Sequence, residues 1–327
     1  GVADDSVAVF SRNSSTGTLT YVEIKKDGVD GVDGLDWVRT VTVSPDGNHL
    51  YAGSRYDNAV AVFSRNSSTG KLTYVEVQKD GVDGVDGLGA VRSVAVSLDG
   101  KHVYTAAEDD HAVAVFSRNS STGALTYVEM KKDGVGGVDG LDRAQSATVS
   151  PDGNHVYAAS DSDDAIAVFS RNSSTGALTY VEMKKDGVGG VDGLDGAKTV
   201  TVSPDGNHVY ANGYDDDAVA VFSRNSSTGA LTYVEVKKDG VGGVNGIGLA
   251  RGITVSPDGN HLYVSGYSED AIVTFTRNSS TGALTFVEMK KNGFGIGWAR
   301  QVTVSPDGKH VYIADYTDDA VLVLSRN

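Results

Sequence analysis

The chain contains no cysteine among its 327 residues. This excludes a disulfide framework and any metal site built on thiolates, and leaves the redox state of the compartment open. Long apolar runs are also missing, because none approaches the roughly 20 residues that a membrane-spanning helix needs. We therefore expect no membrane insertion. Gly1 begins no signal peptide, although a removed leader would leave no trace.

Positive charge is scarce. The chain has 28 lysines and arginines against 43 acidic residues, which gives a net charge of −15 and a pI near 4.8. Nucleic acids and anionic membranes both bind basic surfaces, so we expect neither as a partner. Helical spacing of apolar residues is likewise missing from every stretch of ten residues or more, which indicates an all-β protein.

What the chain has in abundance is one repeated stretch of sequence. An anchor serine recurs at a step of 53 residues four times and then of 49 residues. Repetition at this period is typical of closed arrays of small sheets, which form one cooperative domain. We predict a single domain over residues 1–327, with units that start near residues 38, 91, 144, 197, 250 and 299.

Each unit predicts four short strands bounded by turn residues. In the first complete unit these are Val38–Ser44, Asn48–Gly53, Ala59–Ser64 and Leu72–Lys79. The third is apolar on both faces, as in a strand buried between neighbouring sheets. Units of four antiparallel strands favour a β-propeller over a β-solenoid, whose coils are usually shorter than this repeat.

The run SPDG-x-H-[LV]-Y-[AV], followed by AVAVFSRN-x-x-TG-x-LT, resembles the repeat of the lactonase-type propellers (YVTN-related, phosphogluconolactonase-like). The resemblance covers almost the whole chain and implies the blade type. Members of that family are typically seven-bladed, whereas this sequence has six first strands. We predict an all-β, six-bladed β-propeller, with seven blades as the alternative.

The two ends of the chain do not complete a unit. The N-terminal end supplies a third and a fourth strand, and the C-terminal end supplies a first, second and third strand: Ser6–Ser11, Thr18–Lys25, Arg300–Val304, His310–Ala314 and Ala320–Ser325. We expect a seam blade shared by residues 1–27 and 299–327. One third strand is then spare, and because an unpaired edge promotes association, we expect either a monomer or a strand-exchanged oligomer.

A basic residue precedes the anchor serine by five residues in five of the six units, and Gln145 takes this position in the third unit. In a propeller these cations lie around one face of the molecule, where they would bind a small anionic or sugar ligand, together with the two tryptophans, or a protein partner. The alternatives are pairing with acidic loop residues and packing at the seam. The candidate ligand-binding residues are Arg39, Arg92, Lys198, Arg251, Arg300, Trp37 and Trp298.

Acidic residues follow the second strand of every unit. Clustered carboxylates bind hard cations, but aspartate in a tight turn also accepts hydrogen bonds from its own backbone, and we favour the turn interpretation. The run Asp27–Asp36 fits no EF-hand spacing, and six histidines at one repeated position would lie on separate blades. We therefore predict no metal and no cofactor.

Catalysis needs unlike groups, and non-repeating polar residues are few. For a lactone hydrolase we select His111 as base, Glu108 as its orienting partner and Arg143 as carbonyl or anion clamp. The sequence contains no GxSxG, HExxH or P-loop motif. Our first hypothesis is therefore a non-enzymatic binding or scaffold propeller, secreted or on the cell surface. The alternatives are a lactone hydrolase, as the resemblance implies, and a self-assembling subunit.

Overall fold

A computed structural model describes residues 4–291 and 297–326. Over these residues the protein is all-β, and no helix is long and apolar enough to cross a membrane. The predicted class, a six-bladed β-propeller of four-stranded antiparallel sheets, is confirmed.

The described residues form 25 strands. Two precede the first complete unit: Ser6–Arg12 (β1) and Leu19–Lys26 (β2). The six units then follow in chain order: Val38–Val43 (β3), His49–Ser54 (β4), Ala59–Arg65 (β5), Leu72–Lys79 (β6); Val91–Val96 (β7), His102–Ala107 (β8), Ala112–Arg118 (β9), Leu125–Lys132 (β10); Ala144–Val149 (β11), His155–Ser160 (β12), Ala165–Arg171 (β13), Leu178–Lys185 (β14); Ala197–Val202 (β15), His208–Gly213 (β16), Ala218–Arg224 (β17), Leu231–Lys238 (β18); Ala250–Val255 (β19), His261–Gly266 (β20), Ala271–Arg277 (β21), Leu284–Lys291 (β22); Ala299–Val304 (β23), His310–Asp315 (β24), Ala320–Ser325 (β25).

The sheets follow the repeat. Each of the first five units makes a four-stranded sheet with its strands in sequence order, and β23–β25 make a three-stranded sheet. β1 and β2 pair with each other as a separate two-stranded sheet, so the spare third strand is paired within its own hairpin. The predicted seam, in which the N-terminal fourth strand completes the C-terminal sheet, stays a prediction, as does the strand-exchanged oligomer.

The chain divides into two compact units. The first comprises residues 1–13, 18–158 and 169–180, and the second comprises residues 14–17, 159–168 and 181–327. Each of these two compact units contains several of the repeat units.

The turn between the first and second strands explains why the anchor serine recurs. The hydroxyl of Ser44 donates to Asp46 Oδ1 at 2.5 Å and accepts the backbone N–H of His49 at 3.0 Å. Asp46 Oδ1 also accepts the N–H of Asn48, while Gly47 takes a φ of 74°, which a residue with a Cβ adopts reluctantly. The S-P-D-G text is therefore a hydrogen-bonded turn that fixes the register of the two strands.

The cores lie on the third strands. In the first compact unit, Phe63 on β5 is fully buried and contacts Tyr74 of β6 edge to face, with ring centroids 5.7 Å apart. Phe222 and Tyr233 repeat this pair in the second compact unit, with the ring centroids at the same distance. Burying such a side chain stabilises the fold by about 1.5–3 kcal/mol, and the near-identical units distribute that stabilisation evenly along the chain.

Candidate functional site

The residue directly after the second strand differs between the otherwise near-identical units. This position holds an arginine, a glutamate, an aspartate and then three tyrosines: Arg55, Glu108, Asp161, Tyr214, Tyr267 and Tyr316. The predicted basic residues of the first strands contact several of these side chains, as described below. The variable position and the basic position together build the candidate sites.

In the first compact unit, Glu108 is the centre of an arginine–glutamate cluster. Its side chain is 1% exposed, and Arg92 donates to Oε2 through Nε at 2.5 Å. Arg143 donates to Oε1, and the guanidinium of Arg55 lies 3.5 Å from Oε2. One buried carboxylate thus holds three guanidinium groups, so the cluster carries a net positive charge in an acidic protein.

The three arginines keep Glu108 ionised. Burial alone would raise the pKa of this carboxyl, but the hydrogen bonds from Arg143 and Arg92 and the charges of Arg92 and Arg55 outweigh it and hold the pKa at about 2. Such a weak base cannot accept a proton near neutral pH. Glu108 therefore positions the arginines.

His111, the predicted base, lies next to Arg143 of this cluster. Its Nδ1 is 2.8 Å from Asp142 Oδ1 and 2.9 Å from the backbone nitrogen of Arg143. The carboxylate next to the imidazole is therefore Asp142, whereas Glu108 binds arginines. Nδ1 carries either a proton or a lone pair, so it bonds to only one of these neighbours at a time.

The contact between His111 and the Arg143 backbone belongs to a repeated hydrogen bond. In each unit the residue before the first strand has a positive φ, and its N–H donates to the side chain just before the third strand of the preceding unit. The acceptors are Asp5, Asn58, His111, Asp164, Asp217 and Asp270. His111 thus occupies a structural position that takes aspartate or asparagine elsewhere.

In the second compact unit, aromatic rings and cations stack against one another in what we call the aromatic–cation ladder. Trp298 stacks on Tyr316 at 5.9 Å and lies 5.3 Å from Tyr267, while Arg251 lies 5.3 Å over Tyr267 and Arg300 lies 3.8 Å over Tyr316. Each cation over a ring contributes about 0.5–1 kcal/mol at an exposed site. Trp298 is 47% exposed, so the ladder offers an accessible flat surface.

The remaining predicted ligand residues also have neighbours, which lie within the same compact unit. Lys198 pairs with Asp161 and lies 5.1 Å over the ring of Tyr214. Arg39 lies 5.3 Å over Trp37, whose ring in turn contacts Tyr56 at 5.0 Å. The assignment of Trp37 and Trp298 to ligand binding stays a prediction.

The acidic loop residues accept hydrogen bonds from the loop that precedes the first strand. Asp57 Oδ2 accepts the backbone N–H of Asp36, 21 residues earlier, at 2.8 Å, and the ammonium of Lys79 lies 2.8 Å from Asp33 and 3.6 Å from Asp57. This contact joins two loops, whereas the turn interpretation needs a hydrogen bond from the backbone of the same turn, so that interpretation stays a prediction. Within the described residues, four trios of aspartates have oxygens within 4.8 Å of one another, and Asp27, Asp33 and Asp57 form one of them. The absence of a metal stays a prediction as well.

The repeated histidines belong to a buried network that the sequence did not reveal. Arg118, at the end of β9, donates to the hydroxyl of Tyr51 at 2.7 Å and to Asp46 at 2.8 Å, and its Nη2 lies 2.7 Å from Nδ1 of His49. The same set recurs around Arg171, Arg277 and Arg326. Each arginine therefore connects two neighbouring sheets.

This network predicts acid sensitivity. Burial, followed by the charge of the nearby arginine, lowers the pKa of His49, His102, His208 and His261 below the usual 6.5. A depressed folded-state pKa means that the stabilisation is present above the unfolded value and is lost as the pH falls through the folded value. We expect the thermal unfolding midpoint to fall between pH 7 and pH 5.

Calorimetry at several pH values measures this dependence. His49→Gln, whose amide oxygen accepts the same hydrogen bond without titrating, should reduce the pH dependence only in part, because His102, His208 and His261 still titrate. A midpoint that stays constant down to pH 5 would contradict the prediction.

The missed site residues share one signal. Arg55, Tyr214, Tyr267 and Tyr316 all occupy the position after the second strand, where otherwise near-identical units differ. Comparing the repeats for differences would have found them, whereas the search for catalytic motifs did not.

Comparison with known proteins places these sites in a family context. A sequence model of the family described as "Lactonase, 7-bladed beta-propeller" matches residues 3–139, 86–244 and 240–327. The family description gives seven blades, whereas the described residues hold six sheets with a first strand and the two-stranded sheet of β1 and β2.

Curated relatives cover most of the chain. A 6-phosphogluconolactonase of Klebsiella pneumoniae (strain 342) is 25% identical over 256 residues, which are 77% of this chain and 70% of the relative. A 6-phosphogluconolactonase of Pectobacterium carotovorum (strain PC1) is 24% identical over 253 residues, 76% of this chain and 69% of the relative.

Solved structures agree in fold. The periplasmic gluconolactonase of Pseudomonas aeruginosa superposes with a TM-score of 0.77 at 19% identity, covering 98% of this chain and 88% of that one. A functionally unknown protein of Desulfotomaculum acetoxidans gives 0.76 at 16% identity, covering 99% and 90%. At these identities the likeness shows the fold alone.

Proposed function

The chain belongs to the seven-bladed β-propeller lactonase family, and on that premise we propose that it hydrolyses the lactone of an acidic or phosphorylated sugar. The prediction of a non-enzymatic binding or scaffold protein was wrong, because the relatives are named 6-phosphogluconolactonases and a fold neighbour is named a gluconolactonase. Its alternative, the lactone hydrolase, takes its place.

The arginine–glutamate cluster carries the proposal. A lactone with a phosphate or carboxylate needs a compact group of guanidinium donors, which bind oxyanions through charge-assisted hydrogen bonds. Arg143 and Arg55 have side chains 48% and 29% exposed, so they remain open to a ligand while Glu108 fixes one end of the cluster. Preorganised donors of this kind stabilise charge that develops in a transition state.

His111 supplies the base in this proposal. In the tautomer whose Nδ1–H donates to Asp142, which replaces the hydrogen bond that Nδ1 accepts from the Arg143 backbone N–H, Nε2 presents a lone pair that accepts a proton from water. The water oxygen attacks the lactone carbonyl, the new oxyanion is stabilised by Arg143, and the ring C–O bond breaks. The imidazolium then returns its proton to the departing ring oxygen, which yields the open hydroxy acid.

We propose that the aromatic–cation ladder of the second compact unit also binds ligand. Flat rings flanked by cations suit the apolar face of a sugar ring and its acidic substituent, so Trp298, Arg251 and Arg300 are proposed as ligand-binding residues. No cofactor enters the reaction that we propose.

Hydrolysis of 6-phosphogluconolactone, followed by acid release in a weakly buffered solution, tests the function directly. We expect Arg143→Met to lower kcat/KM by about 10- to 100-fold, because one charge-assisted hydrogen bond is worth about 1.5–3 kcal/mol. Lys237→Met removes a partly exposed lysine that pairs with Glu235, and it serves as the control. Wild-type protein that does not exceed the spontaneous rate would refute the proposed function.

A further inference from the structure

The loop between β18 and β19 contains an asparagine where the four earlier copies of this loop contain an aspartate. Asn245 precedes Gly246, whereas the residue before the matching glycine is Asp33, Asp86, Asp139 or Asp192. Asn245 is exposed, and within the described residues its side-chain amide has no hydrogen-bond partner. This copy of the loop therefore lacks one carboxylate and holds an amide in contact with water.

The carboxylate at this position binds a lysine in the preceding copy of the loop. The ammonium of Lys238 lies 2.8 Å from Asp192 and 2.9 Å from Asp216. Lys291 is the matching lysine of the next repeat, and it pairs with Glu269, which takes the place of Asp216. A carboxylate in place of the asparagine would give Lys291 its second acid.

The backbone nitrogen that follows the asparagine lies beside a base. The N–H of Gly246 donates to Asp239 Oδ1 at 2.7 Å, and the N–H of Ile247 donates to the same oxygen at 3.0 Å. Gly246 has a φ of 98°, which glycine adopts readily, and it carries no side chain that would hinder the approach of its nitrogen to the amide. The nucleophile and the group that accepts its proton are thus in place next to Asn245.

We propose that Asn245 is a modification site, at which spontaneous deamidation supplies the missing carboxylate. The nitrogen of Gly246 attacks the side-chain carbonyl carbon of Asn245 while Asp239 accepts its proton, and the C–N bond of the amide breaks. Ammonia leaves with that proton, and a cyclic succinimide remains. Water then adds to the side-chain carbonyl, the bond from that carbon to the Gly246 nitrogen breaks, and the nitrogen regains a proton.

The net reaction consumes one water and releases one ammonia, without oxidation or reduction. Water that adds to the backbone carbonyl instead gives isoaspartate, which lengthens the backbone by one carbon. The hydrogen bonds from Gly246 and Ile247 to Asp239 fit the ordinary backbone, so we expect aspartate as the main product. This modification is independent of the proposed lactone hydrolysis.

The same dipeptide at Asn212 and Gly213 provides a comparison within the second compact unit. Asn212 is fully buried on β16, where its Oδ1 accepts the N–H of Thr199 at 2.9 Å and its Nδ2 donates to the carbonyl of Ala250. Gly213 pairs with the neighbouring strand β17. Because both the amide and the following residue are held in the sheet, we expect Asn212 to stay intact.

Peptide mapping by mass spectrometry tests the proposal on the folded full chain, incubated at mildly alkaline pH in water enriched in heavy oxygen. We expect the peptide that contains Asn245 to take up one heavy oxygen as its amide becomes an acid, while Asn212 stays an amide. Asp239→Asn keeps an oxygen for the two N–H groups but removes the base, so it should slow the conversion about tenfold or more. Asn245→Gln should abolish the conversion, because glutamine closes the larger ring slowly.

The reactivity of Lys291 tests whether the new carboxylate completes the pair. Asn245→Asp makes the product directly, and it should slow the acylation of Lys291 towards the rate of Lys238, because a second acid stabilises the ammonium form. Lys237, which pairs with Glu235, should react at an unchanged rate. An amide at Asn245 that persists as long as that of Asn212 would overturn the proposal, and so would equal acylation of Lys291 in Asn245→Asp and the parent.

Discussion

His111→Asn is expected to lower kcat for lactone hydrolysis by at least 100-fold and to leave the folded protein intact. The magnitude follows from general-base catalysis, which contributes about 10²- to 10⁴-fold. The asparagine cannot accept a proton from water, so the proposed chemical step loses its base. Steady-state kinetics on 6-phosphogluconolactone measures the loss.

The repeat itself shows that this substitution preserves the structure. Asn58 occupies the matching position in the preceding unit and accepts the N–H of Ala90 at 2.8 Å, as His111 accepts that of Arg143 at 2.9 Å. Both residues have a positive φ, 50° for Asn58 and 55° for His111, and asparagine tolerates that conformation well. The substitution therefore separates the base from the structural hydrogen bond.

Two controls complete the experiment. The thermal unfolding midpoint of His111→Asn should stay within about 2 °C of the parent, since a change below about 0.5 kcal/mol is expected. Asp142→Asn should lower kcat less, because it leaves the imidazole in place. Full turnover by His111→Asn would remove the proposed base and leave the arginine cluster to act on a water activated elsewhere.

Much of the fold follows from the sequence because turns and strands are local. The fourth strand Leu72–Lys79 was predicted with its observed bounds, and the second strand differs by one residue at each end. Proline, aspartate and glycine at Pro45–Gly47 mark the turn, and the alternating or fully apolar runs on either side give the strand period.

The side-chain partners could not be predicted in the same way. Glu108 was selected as the partner of His111 because the two are close in sequence, yet its charge is satisfied by arginines from other strands. Arg118 reads as part of a polar turn, whereas it lies buried against Tyr51, 67 residues away. Such pairings depend on which sheets become neighbours. The repeat period alone does not give the order or the packing of neighbouring sheets, so it does not predict these side-chain contacts.

Arg118→Met is expected to lower the free energy of unfolding by about 3–5 kcal/mol. The side chain of Arg118 is 1% exposed, and its guanidinium donates to Tyr51, to Asp46 and to the carbonyl of Gly100 while it contacts His49. Methionine fills much of the volume but leaves the buried groups of Tyr51, His49 and Gly100 without their donor, whereas Asp46, whose side chain is 36% exposed, keeps its contact with water. Each buried polar group left without a partner costs about 1–3 kcal/mol, and several such groups account for the expected loss.

Arg326→Met is the matched comparison within the same repeat. Arg326 contacts Asp258, His261 and Gly308 as Arg118 contacts Asp46, His49 and Gly100. Its side chain is 12% exposed and Asp258 is 45% exposed, so water replaces the lost hydrogen bonds there. We expect a loss of about 1–1.5 kcal/mol, which is typical of an accessible hydrogen bond.

Urea unfolding followed by tryptophan fluorescence measures the stability of both variants. Trp37 reports on the first compact unit and Trp298 on the second. Since the two units need not unfold together, the midpoints are to be compared for each probe separately. Equal losses for the two variants would show that burial does not set the strength of the network. A loss below about 1 kcal/mol for Arg118→Met would show that the arginine does not hold neighbouring sheets together.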